Sequence, residues 1–391
     1  MMRILLVAYG TALDRVLNCI LSENSAGGVE LAAIVTVPLP ETGQILSRHG
    51  ITGTVVRPYY ELPECVHDVY YDYVFYADLG KAERLRADLT ALGVSREKLV
   101  NLSLLCSERL YNISRLMRYY VHHAADFQIL ATGSSYAHYA IDGQEMTLPL
   151  LDFTVDSQDI FYGYALAKRI LTAKDTALRA ALINLAPWSF SYDMSRTTEN
   201  FLCLAYALLL KETHHFPLDW EQMQAVFCQE FLHSAEIVSD RGVDLYDLNG
   251  NKQRMSHPLG VEDYLSMRSR AAEWDETRSF PATQKENEAL LMEHIQLCQE
   301  HHVQPILFIA PATEIFRQYY PKRSLDQFYT IVRRVLRRTG AHLLDYFPAK
   351  GFGFAECRDV DHLNLQGSKK FTAMLDHDVM QILGQEGNRH G

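Results

Sequence analysis

Several familiar signatures are missing from this chain of 391 residues. The first apolar run is followed by a single glycine, Gly10, and by no GxGxxG. A phosphate-cradling loop is therefore lacking, and no cofactor is expected. The seven cysteines are scattered, odd in number and never spaced as CxxC, which excludes a zinc ribbon or a disulfide framework and fits free thiols. The dipeptides His122-His123, His214-His215 and His301-His302 have no HxxxH or HExxH beside them. Neighbours on a helix project about 100° apart, so no metal is expected. No basic block of five or more residues occurs and the net charge is −11, so a nucleic-acid partner is not expected. The apolar run from Phe201 to Leu210 is about half of a membrane span, and the apolar stretch after Met1 is too short for a signal peptide. A cytoplasmic protein without a membrane span follows as the expectation, and a homo-oligomer is compatible with it.

What is present is alternation. Short apolar runs at 3–9, 30–37, 54–56, 73–76 and 99–104 are separated by helical periods at 13–22 and 81–92. This predicts a parallel, doubly wound, Rossmann-like α/β domain over residues 1–105. A connecting helix is expected over 106–124. A second α/β domain then spans 125–391, with strands at 127–132, 150–155, 181–186, 305–309 and 342–345. Its helices are expected at 161–172, 286–302, 325–338 and 368–383. A mostly helical insertion at about 196–275 interrupts it, with an Asn-Gly hairpin near 245–252.

Two distant segments carry nucleophile chemistry. Ile129-Leu-Ala-Thr-Gly-Ser-Ser135 reads as a buried strand that breaks at Gly133 and presents a serine at the next helix. Asp359-Val-Asp-His362-Leu-Asn-Leu-Gln-Gly367 puts an aspartate three residues before a histidine, ahead of another helix. A hydroxyl nucleophile needs a base and an anion that orients the base. Ser134 is the rival of Ser135, and Asp361 is the rival of Asp359. Adjacent side chains point in different directions, which favours the partner three residues away. Asp152, Asp156 and Asp159 cluster at a neighbouring strand end, where sugar contact and helix capping both remain open. Phe161, Tyr162, Tyr164, Trp188, Phe190 and Tyr192 concentrate there too, suited to pyranose stacking or to core packing.

On these residues, the chain over about 125–391 resembles the SGNH or GDSL-type hydrolase superfamily, an α/β/α three-layer fold. Gly133-Ser134-Ser135 is similar to its first block and Asp359-Val-Asp-His362 to its last. Asp361-His-Leu-Asn-x-x-Gly367 looks most like the branch that includes D-alanyl transfer proteins of teichoic acid synthesis and alginate O-acetylation proteins. The resemblance implies Ser135 as nucleophile, His362 as general base and acid, and Asp359 as orienting carboxylate. Gly133, Ser157, Trp188 and Ser189 are the expected oxyanion and substrate contacts. The middle blocks depart from the pattern. Ser157 stands where the superfamily has a glycine, and Pro187-Trp188-Ser189 where it has an asparagine. Loss of one oxyanion donor typically costs on the order of 10²–10³ in rate. The expected function is a serine-dependent acyl-ester hydrolase or O-acyltransferase on an acylated carbohydrate or cell-envelope precursor. The alternative is a catalytically impaired relative that binds carbohydrate or a protein partner in surface-polysaccharide biosynthesis.

Overall fold

A computed structural model describes residues 2–23, 29–78, 82–102, 123–172, 176–197, 200, 203, 206, 210, 214–216 and 279–387. The chain divides into two compact units, each built on a five-stranded parallel sheet.

The first sheet has the order β3-β2-β1-β4-β5. Its strands are β1 (Met2–Ala8), β2 (Val29–Thr36), β3 (Val55–Pro58), β4 (Tyr73–Ala77) and β5 (Leu99–Asn101). The apolar run in β1 has a simple cause, because successive residues face opposite sides of a sheet. Ile4, Leu6 and Ala8 pack under helix α1 (Gly10–Glu23), against Leu13, Val16, Leu17 and Ile20. Leu5 and Val7 pack on the other face, against α3 (Leu62–Asp68) and α4 (Ala82–Ala91) through Leu62, Val66, Leu85 and Leu89. With both faces covered, a strand must be apolar throughout. The short helices α2 (Thr42–Arg48) and α3 were not legible as helical periods. At the carboxyl ends of β1 and β4, where the strand order reverses, the Tyr9 hydroxyl donates to Asp78.

The second sheet has the order β10-β9-β8-β6-β7. Its strands are β6 (Ile129–Gly133), β7 (Leu150–Thr154), β8 (Ala180–Asn184), β9 (Gln304–Ile309) and β10 (His342–Asp345). Helices α5 (Ser135–His138), α6 (Ile160–Leu171), α7 (Gln284–Glu300), α8 (Glu314–Tyr319), α9 (Lys322–Thr339) and α10 (Leu365–Gly387) connect or follow them. Helix α9 ends at Gly340, whose φ of 69° closes the last turn as a left-handed C-cap requires. From β6 the chain runs first to β7 on one side and then to β8 on the other. The crevice between β6 and β8 is thus the topological switch point, the usual ligand position in such sheets. The expected connecting helix, most of the insertion and the hairpin near 245–252 lie outside the described residues. Among the described residues, no helix is long and apolar enough to cross a membrane.

Leu17 and Leu89 belong to separate packed layers on opposite faces of the first sheet. Leu17→Ala and Leu89→Ala should each destabilise this unit by about 2–5 kcal/mol. Read from hydrogen exchange of β1 amides, the two losses should add to within about 0.5 kcal/mol; strong coupling would contradict the two-layer packing.

Candidate active site

Strand β6 ends at Gly133, whose φ is 150°. A Cβ there would lie 2.3 Å from Cβ of Asn184, so the approach of β6 to β8 admits glycine alone. The Gly133 N–H donates to Gln158 Oε1 at 2.8 Å. Gly133 therefore shapes the turn and does not offer its amide to a substrate, which corrects the expectation of an oxyanion contact there. Ser134 is the N-cap of α5, and its Oγ accepts from the Tyr136 N–H. That leaves Ser135, half-buried, as the serine directed at the cleft. Helix α5 has only four residues, so its macrodipole is a small term and the local N–H groups matter more.

The Ser135 Oγ lies 2.9 Å from Nε2 of His362. On the other side of the ring, Nδ1 of His362 lies 3.0 Å from each carboxylate oxygen of Asp359. Asp361 comes to 3.3 Å from the same nitrogen, a longer and one-sided approach. Asp359 Oδ1 also accepts the backbone N–H groups of Asp361 and His362, at 3.1 and 2.8 Å. The aspartate therefore folds its own loop and orients the imidazole together.

The rest of the segment explains Asn364 and Gly367. The Asn364 side chain donates to the Ala355 carbonyl at 2.7 Å and accepts from the Gly367 N–H at 3.0 Å. A Cβ on Gly367 would sit 2.0 Å from the Glu356 carbonyl oxygen. Thr313 straps the loop from outside, its hydroxyl donating to the Val360 carbonyl at 2.7 Å. The rings of Tyr136 and Tyr139 pack on the His362 ring, with centroids at 5.6 and 4.9 Å.

The other expected contacts divide. Ser157 has a φ of 63°, the left-handed conformation that favours a glycine, at the position where the resemblance expects one. Ser189 accepts from the Ala186 N–H at 2.8 Å through its Oγ, closing a turn. Trp188 is buried and meets Tyr136 edge-on at 4.6 Å. The expectation that Pro187-Trp188-Ser189 replaces a strand-end asparagine is incorrect. Strand β8 ends at Asn184, whose side chain faces Gly133 and lines one small pocket with Ser134, Gln158, Trp188 and Ser189. Asp159 caps α6 by accepting from the Tyr162 N–H at 3.0 Å, and Asp152 accepts from the Thr154 N–H at 2.9 Å. Tyr162, Phe190 and Tyr192 are core residues.

Sequence reasoning also passed over the role of His214 and His215. Asp193 is fully buried and approaches Nδ1 of His214 at 3.3 Å and Nδ1 of His215 at 2.8 Å. Glu286 approaches their Nε2 atoms at 3.5 and 3.4 Å. The two rings stack at 4.1 Å and 30°, with Phe161 stacked on His214 at 4.5 Å. Donor atoms of Asp193, His214 and His215 lie within 4.8 Å of one another, as do those of Asp359, Asp361 and His362. In the first group the stacked rings send like nitrogens side by side to two carboxylates. That suits pairing of the His214 cation with Asp193 and Asp159 better than ligands converging on one ion. Burial alone would lower the His214 pKa, yet Asp159 and Asp193 raise it to about 10. Burial alone would raise Asp193, yet His214, Ser195 and His215 hold it well below the usual carboxylate range.

No protein-family model matches the chain, and no curated protein sequence matches it.

The ionic cluster has a pH signature. Asp193 is depressed in the fold, so its contribution is complete above its ordinary 3.8 and is lost as pH falls through the folded value. His214 is raised, so its contribution is complete below its ordinary 6.5 and is lost as pH rises toward about 10. The Tm gap between wild type and Asp193→Asn should therefore be widest between about pH 4 and 6.5 and narrow toward pH 10. A pH-independent gap would contradict the charged pairing.

Proposed function

We propose that this protein is a serine-dependent acyl-ester hydrolase or O-acyltransferase of the SGNH type, acting on an acylated carbohydrate or cell-envelope precursor. One observation carries the reading: the unbroken relay from Ser135 Oγ through His362 to both oxygens of Asp359, with contacts of 2.9 and 3.0 Å. In this chemistry Ser135 Oγ attacks the acyl carbonyl carbon while Nε2 of His362 takes the hydroxyl proton. The bond from the acyl carbon to the leaving alcohol oxygen then breaks, and His362 returns the proton to that oxygen. Water or a sugar hydroxyl attacks the acyl-enzyme by the same steps in reverse, regenerating the serine.

Charge on the carbonyl oxygen needs donors aimed from the switch point. The Ser135 N–H stands at the first position of α5. The Ser157 turn supports a glycine-like backbone N–H, and Asn184 supports a side-chain donor at the end of β8. The Asn184 amide makes long contacts of 3.4 Å to the Leu185 and Phe308 carbonyls, contacts that a charged oxygen would replace. The sugar assignment rests on the resemblance stated above.

A fluorophosphonate probe should label Ser135, and Ser135→Ala or His362→Ala should abolish labelling. Absence of labelling in the folded wild-type protein would overturn the reading. Asp359→Asn should lower kcat on the order of 10²–10⁴-fold, and Asp361→Asn much less; the reverse order would transfer the orienting role to Asp361. Asn184→Ala should lower kcat on the order of 10²–10³-fold with little change in KM, and an undiminished kcat would remove it from the oxyanion site.

A further inference from the structure

The chain leaves β7 through a tight turn that the relay does not use. The Gln158 N–H donates to the Val155 carbonyl at 3.0 Å. Ser157, with its φ of 63°, sits at the third position of that turn, where a positive φ favours glycine. Both backbone groups of Gly133 are tied to the same turn. Its carbonyl accepts from the Val155 N–H at 2.9 Å, and its N–H donates to Gln158 Oε1 at 2.8 Å. Gln158 Nε2 donates in turn to the Phe153 carbonyl at 2.9 Å. A donor on β6 and an acceptor on β7 thus fix which end of the amide points each way. The side chain is buried and passes so close to Gly163 of α6 that a Cβ there would meet Oε1 at 3.3 Å.

These bonds close a ring across the ends of β6 and β7. A peptide group in the place of the Gln158 amide would continue the ladder and carry both strands onward. The side-chain amide satisfies the same donor and acceptor while both chains leave the sheet at one level. Ser157 lies inside the ring, and Ser135 stands two residues beyond Gly133. We infer that Gln158 is a positioning residue of the oxyanion site, holding the Ser135 and Ser157 turns at one spacing for their backbone donors. The inference rests on the proposed role of Ser135 and adds a determinant that does not touch the ester. Charge on the carbonyl oxygen develops only in the transition state, so loss of the spacing belongs in kcat rather than KM.

Hydrolysis of 4-nitrophenyl acetate by Gln158→Leu and Gln158→Glu tests it. Gln158→Leu removes both side-chain bonds. Its kcat should fall roughly 10- to 100-fold, less than the 10²–10³ typical of losing a whole donor, with KM nearly unchanged. Gln158→Glu separates positioning from packing. A neutral carboxyl accepts from Gly133 and donates to Phe153 as the amide does, whereas a carboxylate has no proton to donate. The ratio of variant to wild-type kcat should therefore approach one at low pH and fall about 10-fold or more as the buried carboxyl ionises. Asp159, Tyr192 and His294 line the same pocket and are common to both proteins. Burial holds the His294 pKa down at about 3, so that ring stays neutral over the range. A pH-independent ratio, or an undiminished kcat in Gln158→Leu, overturns the inference. Should Gln158→Leu fail to fold, the Gln158→Glu ratio decides alone. Where the wild type labels with fluorophosphonate without turning over, the rate of phosphonylation is read in place of kcat. A wild type that neither labels nor turns over overturns the proposed reaction and this inference together. Labelling and turnover indifferent to residue 158 overturn the inference alone.

Discussion

A hydrogen bond between residues 227 apart in the chain, His362 to Ser135, holds only if each partner stands on a loop that is rigid by itself. Both loops achieve this through a close approach that a side chain would prevent. On one side, Gly133 lets β6 turn against Asn184. On the other, Gly367 lets the start of α10 rest on the Glu356 carbonyl, with Asn364 bonded across the same gap. The geometry of the relay is thus set by backbone packing, and the side chains of Ser135, His362 and Asp359 inherit it. This accounts for the Asn-x-x-Gly that follows the histidine, two residues that fix its loop against the Ala355 and Glu356 carbonyls.

The central strands were legible because strands covered on both faces must be continuously apolar, whereas the edge strands β3 and β10 carry only the short apolar runs Val55-Val56 and Leu343-Leu344. The short helices α2, α3 and α8 were not, since one or two turns carry too little periodicity to register. Asn184 was passed over for a related reason. It sits inside the run Ala-Ala-Leu-Ile-Asn-Leu-Ala, and the Leu185 N–H continues the bonding to the Phe308 carbonyl at 2.9 Å. The strand therefore reads as two residues longer than it is, and its apparent end falls past the asparagine. Ser135, His362 and Asp359 were readable because each lies at an element boundary marked by glycine or by a capping residue.

The His214 and His215 cluster shows a different limit. Burying Asp193 without partners would be costly, as would burying an imidazolium. Together with Asp159, Glu286 and Arg196, which contacts Asp193 at 2.9 Å, they form a set in which each charge faces an opposite one. The partners come from residues 159, 193, 196, 214 and 286, so no local spacing announces them. Asp159 couples this cluster to the site: it caps α6, accepts from the Met194 N–H at 3.0 Å and follows Gln158, which holds the Gly133 N–H. A charge cluster outside the relay therefore supports the turn that presents Ser135.

Arg358 and Asp359 are consecutive, and their side chains do different work from one rigid loop. Asp359 turns inward to the imidazole, while Arg358 lies outward across Tyr139, the ring that also packs on His362. Tyr139 meets both the Arg358 guanidinium and the His362 ring, at 4.9 Å in each case. The orientation of the imidazole and the placement of Arg358 over Tyr139 thus come from the same few residues of backbone, fixed by Asn364 and Gly367.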